Sequence, residues 1–147
     1  MSKIYIGGAG GAPSNNFIRS LRESNRRDYL IGTSSSVTDL FLADVDEKYF
    51  IPLANDPSYP EHVLNLLKKT KPDFLHVQND FEVRAISNIR AEIEALGIKL
   101  FMPSHETIEN CIDKLKSYAI WRQKGLKVPR TILLNSPLDL RKDRKSV

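Results

Sequence analysis

Cysteine is nearly missing from this chain: Cys111 stands alone among 147 residues. An internal disulfide is therefore impossible, and structural zinc sites built on several thiolates are excluded. Set on the apolar side of a helical pattern, Cys111 reads as a core residue rather than a nucleophile. Histidine is scarce too, and His62, His76 and His105 stand at no metal-ligand spacing. His76 falls within an apolar stretch and reads as a satisfied core histidine, while Asp44, Asp46 and Glu47 read as a solvated turn. Long apolar runs are absent, none approaching the roughly 18 residues of a membrane span. The opening MSKIYIGG passes straight into a strand without the apolar core of a signal peptide. A cytoplasmic protein without a membrane partner is the expectation. Neither a nucleophile elbow nor a P-loop occurs.

What is present is ordinary in bulk and uneven in charge. Hydrophobic residues make up 41% and charged residues 27% of the chain, the balance of a soluble domain with one core. The net charge of +4 is divided unequally, with 11 basic and 13 acidic side chains in residues 1–98 against 11 and 5 in residues 99–147. No aromatic-interleaved basic stripe accompanies the excess, so nucleic acid is not the expected partner. The tail from Arg141 to Val147 reads as a solvated end.

Along the chain, short apolar runs alternate with helical patterns. Strands are expected over Lys3–Gly7, Tyr29–Thr33, Lys48–Pro52, Phe74–Val77 and Ile98–Phe101. Between them lie a helix over Ser14–Ser24, one opened by a Ser58/Glu61 capping box with Val63, Leu64 and Leu67 inward, and one capped by Asp80. In the last, Ile86, Ile89, Ile93 and Leu96 form one stripe. This alternation implies right-handed crossovers and an α/β fold, a Rossmann-like parallel sheet with helices on both faces.

Such sheets bind ligands beyond the C-terminal ends of their strands, and three polar loops fall there. Gly7 to Ser14 is glycine-rich, with Gly8, Gly10 and Gly11, and Asn15 and Asn16 follow at a helix N-terminus suited to a phosphate or carboxylate. Ser34 opens the second loop, Ser34-Ser-Ser36. Gln78, Asn79 and Asp80, with Glu82, form the third. Each also has a plain structural explanation: a tight turn, a loop of serines, a helix cap. A dinucleotide-binding module is one alternative, but Pro13 occupies the third glycine position of G-x-G-x-x-G, and Thr33 to Ser36 offers no acidic ribose partner.

Beyond Pro103 the pattern changes to two short helices. Ser104 caps the first, which turns Ile108, Cys111 and Ile112 to one side, and Asp113 caps the second, carrying Leu115, Tyr118, Ala119 and Arg122. Pro129 prevents resumption, and Arg130–Leu134 reads as a strand. Lys114 stands out, because a cation in the first turn opposes the helix dipole. A bound phosphate would reverse that penalty, with Lys116 the lesser candidate; a solvated lysine is the plain alternative.

Ser104 to Pro129, as Ser-x-Glu-Thr-Ile-Glu-x-Cys-x-Asp-Lys-x-x-x-Tyr followed by Gly125-Leu-x-Val-Pro129, resembles the junction entering the ATP-grasp domain of ligases similar to the carbamoyl-phosphate synthase large chain. Lys3 to Pro103 resembles that family's preceding pre-ATP-grasp domain. The resemblance implies a pre-ATP-grasp domain over 1–103 and the helical start of a truncated ATP-grasp domain over 104–147. It implies that Lys114 contacts ATP phosphates, and that a small carboxylate is phosphorylated and then attacked by an amine or other nucleophile with ATP and Mg2+. The metal ligands, the second ATP-contacting lysine and the flap would lie further along than this sequence, so no metal ligand or catalytic residue is assigned here. Tight binding of ATP or Mg2+ is not expected of this chain alone. The remaining ATP-grasp domain, in cis or as a separate chain, is the implied partner. A non-catalytic partner subunit, or a homodimer through Ile120, Trp121 and Leu126, is the further alternative.

Overall fold

The computed structural model describes residues 1–135; the tail from Arg141 lies outside the described residues. Strand β1 (Lys3–Ile6) forms from a run whose side chains are wanted on both faces, and Tyr5 and Ile6 lose all exposure. It lies at the centre of a five-stranded, all-parallel sheet with β2 (Tyr29–Ser34), β3 (Glu47–Phe50), β4 (Phe74–His76) and β5 (Lys99–Leu100), in the order β3-β2-β1-β4-β5. Ile4 stands opposite Leu30 on one side and Phe74 on the other.

Alternation along β1 sends its neighbours into two separate cores. Ile4 and Ile6 pack with Leu30, Ala43 and Ile18, the last from α1 (Ala12–Glu23). Tyr5, with Ile31 and Leu75, faces the other way into α3 (Tyr59–Thr70), α4 (Asp80–Asn88) and α5 (Arg90–Ala95), whose Val63, Leu67, Ile86 and Ile93 are buried. Helices therefore cover both faces, as the alternating pattern predicts. Each large aliphatic side chain buried there contributes about 1.5–3 kcal/mol over leaving it in water.

Local expectations are corrected at five places. Helix α2 (Val37–Leu42) joins β2 to β3 where only a loop of serines is expected; Ser36 accepts the Asp39 amide at 3.2 Å and starts it. The Ser58/Glu61 capping box does not form. Ser58 instead gives both its amide and its hydroxyl to Asp56, at 2.8 and 2.7 Å, so its oxygen is turned away from the helix. Asn79 rather than Asp80 caps α4, accepting the Glu82 amide at 2.8 Å. The long stripe is broken at Ile89 into α4 and α5, which leaves Leu96 at 39% exposure, outside the core. Residues 130–134 take no strand form and join no sheet among the described residues.

The chain divides into two compact units, Met1–Ile108 and a second beginning at Glu109. The first contains the whole sheet. Helix α6 (His105–Ile112) starts at Ser104, whose hydroxyl oxygen accepts the Thr107 amide at 3.2 Å. In the second unit, Asp113 accepts the Leu115 and Lys116 amides at 2.9 and 3.0 Å to open α7 (Lys114–Gln123), and Ser117 donates to the Asn110 carbonyl at 2.7 Å. Cys111 is exposed rather than part of a core. Ile108 alone of the expected apolar side of α6 is fully buried.

Candidate functional site

In a sheet of this order the crossovers turn opposite ways on either side of the pair β1 and β4, and the loops leaving those two strands part to open a crevice. A cleft of about 350 Å³ lies there. Gly8, Gly11, Pro13 and Ser14 line it after β1, Ser34, Ser35 and Asp39 after β2, Pro52 to Asn55 after β3, and Gln78, Asn79, Phe81 and Glu82 after β4. All four belong to the first unit.

The glycine loop is held from within. The Gly7 amide bonds to the His76 carbonyl and the Ala9 amide to the Thr33 carbonyl, both at 2.9 Å, so the loop is tied to β4 and β2 together. Ser14 donates to the Gly7 carbonyl at 2.8 Å and Asn15 to the Gly10 carbonyl at 2.9 Å. A side chain at Gly7 would run into Val77 and the Glu82 carboxylate, at 2.7 and 2.8 Å from its first carbon. Glycine is therefore needed here to make room for neighbours within the protein.

Glu82 is the chemical centre of the floor. Only 6% exposed, it takes Tyr59 Oη on Oε1 at 3.3 Å, Asn79 Nδ2 on Oε2, and the Gly8 amide. Burial pushes its carboxyl up from an ordinary 4.5 to about 7, against the opposing pull of the three donors. Behind it, Thr33 donates to Tyr5 Oη at 3.0 Å, and burial raises the Tyr5 and Tyr59 phenols far above their usual range. His76, half-buried, stacks on Phe17 at 3.9 Å between ring centres and contacts Gln78 at 2.8 Å; burial lowers its pKa. Among the described residues no group of three His, Cys, Asp or Glu side chains could hold a metal ion, and no helix is long and apolar enough to cross a membrane.

Of the residues singled out from sequence, Gly8, Gly11, Ser34, Gln78 and Asn79 meet in this cleft. Gly10, Asn15, Asn16 and Asp80 are outside its lining: Gly10 packs on the α2 backbone, Asn15 braces the loop, and Asn16 and Asp80 are exposed. Lys114 is in the second unit, exposed, and gives its ammonium to the Cys111 carbonyl at 3.1 Å. That carbonyl belongs to the negative end of α6, which offsets the unfavourable charge at the start of α7. Sequence reasoning missed Asp39, Tyr59 and Phe81. The Ser36-x-x-Asp39 pattern ahead of an apolar residue was a readable sign of α2; nothing local marks Tyr59 as a partner of Glu82.

Asn79 both caps α4 and donates to Glu82. Asn79→Ala is therefore expected to lower stability by about 1–2 kcal/mol, more than a cap alone usually contributes. Urea unfolding measures it, and a loss below about 0.5 kcal/mol would show that the second bond does not matter.

No protein-family model matches the chain, and no curated protein matches it. Solved structures do. A glycinamide-RNase-transformylase T from Mycobacterium tuberculosis superposes with a TM-score of 0.63 at 16% identity, over 95% of this chain and 37% of that one. An L-amino acid ligase from Bacillus licheniformis gives 0.62 at 18%, over 93% and 36%. The biotin carboxylase domain of Hydrogenobacter thermophilus 2-oxoglutarate carboxylase, in complex with MgADP, ADP and bicarbonate, gives 0.59 at 20%, over 99% and 32%. The chain thus spans about a third of the length of the structures that it matches, and it has the fold found in that part of these transformylase, ligase and carboxylase structures.

Proposed function

We propose that this chain is the leading part of an ATP-grasp ligase similar to the carbamoyl-phosphate synthase large chain, with a pre-ATP-grasp domain over 1–103 and the start of the ATP-grasp domain over 104–147. The observation that carries this assignment is the cleft at the β1/β4 division of a parallel sheet, followed in sequence by the Asp113-Lys114 helix start. Likeness to a ligase and to a carboxylase domain bound to MgADP and bicarbonate supports it. In the complete enzyme, which a cytoplasmic location would suit, ATP would phosphorylate a small carboxylate and a nucleophile would displace the phosphate. Bound MgATP supplies the phosphoryl group and neutralises its charge. The described residues do not fit a Mg2+ site, so its ligands would lie in the remaining ATP-grasp part, in cis or in a partner chain.

This chain's share is to wall the substrate cleft with Gly8, Gly11, Ser34, Gln78 and Asn79, and to bring Lys114 to the ATP phosphates once it leaves the Cys111 carbonyl. The test pairs this chain with the ATP-grasp portion and measures phosphate release from MgATP across a panel of carboxylates and amines. Release that needs both co-substrates and falls at least tenfold with Lys114→Ala is expected. Saturable NAD+ binding by this chain with no release would favour a dinucleotide module instead. A complex with the ATP-grasp portion through the half-exposed Trp121 and Leu126, again without release, would favour a non-catalytic subunit; self-association alone would leave only a homodimer.

A further inference from the structure

Among the described residues, no lysine or arginine lines the cleft. Its charged side chains are Asp39 and Glu82, an unsuitable lining for a carboxylate or phosphate, which needs countercharge when it leaves water. Several of the donors that could have compensated are already committed. The Gly8 amide and the Asn79 side-chain amide go to Glu82, and the Ser14 hydroxyl goes to the Gly7 carbonyl. What remains is neutral, the Asn55 amide and the Ser34 and Ser35 hydroxyls, apart from one carboxylate. The half-buried Asp39 carboxylate accepts no hydrogen bond from any described residue, although its own amide is bound by Ser36. The Ser35 hydroxyl likewise has no partner among the described residues, and apolar walls come from Pro13, Pro52, Leu53 and Phe81.

We propose that this cleft takes the amine partner of the reaction, a small alkylammonium or amine on a short apolar body, with Asp39 as the carboxylate that recognises it. The inference rests on the ligase assignment for the word "partner" but on the lining alone for the amine. Asp39 supplies charge at the head of the ligand, Ser35 a second contact, and Leu53 and Phe81 cover the carbon chain. Glu82 is buried and already accepts from three donors, so little of its acceptor capacity is left for a ligand. The carboxylate substrate and the phosphates must then find their cations in the part of the enzyme beyond this cleft.

The direct experiment titrates the isotopically labelled chain with butylammonium, butyrate, butanamide and inorganic phosphate at pH 7.5, following the Gly8, Gly11, Ser35 and Asn79 amides. Butylammonium should shift them saturably, and butyrate and phosphate should not. Asp39→Asn should weaken the amine at least tenfold while leaving the rest of the spectrum unchanged, since no side-chain bond is lost. Asp39→Lys should reverse the preference toward butyrate. Butyrate or phosphate binding the unaltered cleft as well as the amine would overturn the inference, as would an amine affinity indifferent to Asp39→Asn. Amine binding that depends on Asp39, without MgATP turnover in the assembled enzyme, would leave the cleft inference standing and remove the ligase assignment. Turnover with an anion seated in the cleft would do the reverse.

Discussion

Gly10→Ala is expected to destabilise the protein by about 3–5 kcal/mol, a large share of the 5–15 kcal/mol that holds a domain of this size together. Two independent causes act at one position. Gly10 has φ +96°, where an L side chain is strained by roughly 1–3 kcal/mol. A methyl there would also sit 1.9 Å from the Asp39 carbonyl oxygen and 2.6 Å from its Cα, and overpacking against backbone that cannot rotate away costs about 1–3 kcal/mol or more. Gly97→Ala separates the two, because Gly97 has φ +79° and nothing within 4 Å of the added carbon; it should cost only about 1 kcal/mol. Urea unfolding of both variants measures the difference. Equal losses would mean that the glycine loop and α2 do not touch as described. The contact also fixes Asp39 at the cleft, so a Gly10→Ala protein that survives should present a displaced carboxylate there.

Glu82→Gln should raise stability at pH 8 and remove most of a pH dependence that runs opposite to the usual acidic one. Because its folded pKa is raised, from 4.5 to about 7, the folded state binds more protons than the unfolded state across that interval. Stability therefore falls as pH rises from about 4.5 to 7, by roughly 3 kcal/mol at full effect. Asp28 and Glu47 behave conversely. The Ser2 amide holds Asp28 low and the Tyr49 hydroxyl holds Glu47 low, and their stabilisation is lost only as pH falls below the ordinary carboxylate range. His76, its pKa lowered by burial, opposes Glu82 near pH 6, but it does so in both proteins. The difference between wild type and Glu82→Gln isolates the carboxylate. Glutamine can keep its oxygen on the Gly8 and Asn79 donors while Tyr59 Oη turns from donor to acceptor. The gap should be widest above pH 7 and shrink toward pH 4.5; parallel stability curves would show that Glu82 is not buried as a proton-holding group.

The sheet was legible because it depends on patterns a few residues long. Apolar runs at Lys3, Tyr29 and Phe74, each followed by a breaker, gave the right elements within a residue or two. Errors arose where a side chain chose between neighbours. Ser58 could cap a helix or bind Asp56, and Asn79 and Asp80 compete for one cap; local chemistry ranks neither pair. Helix α2 is only six residues long, too short for a 3.6-residue period to show. For the cleft, composition marked three of the four contributing loops but not their chemistry. Glycines suggested an anion from outside, whereas the carboxylate that fills the loop is the chain's own Glu82. That pairing brings together residues 74 positions apart, and no spacing in the sequence encodes it. Cys111 was misread because an apolar stripe on α6 does not say which of its members gains a cover.

The central position of β1 bears on how the chain comes together. Strand β1 is flanked by β2 and by β4, so one of its edges keeps unpaired amides and carbonyls until residues 74–76 exist. Before then, β1 to β3 form a partial sheet with an open, highly apolar border, the kind of edge onto which other chains add. Closure of that border joins segments about seventy residues apart, a long-range step that local helix formation cannot hasten. During synthesis, the interval between β1 and β4 is accordingly the period of greatest aggregation risk, and it ends with the strand whose arrival also forms the cleft.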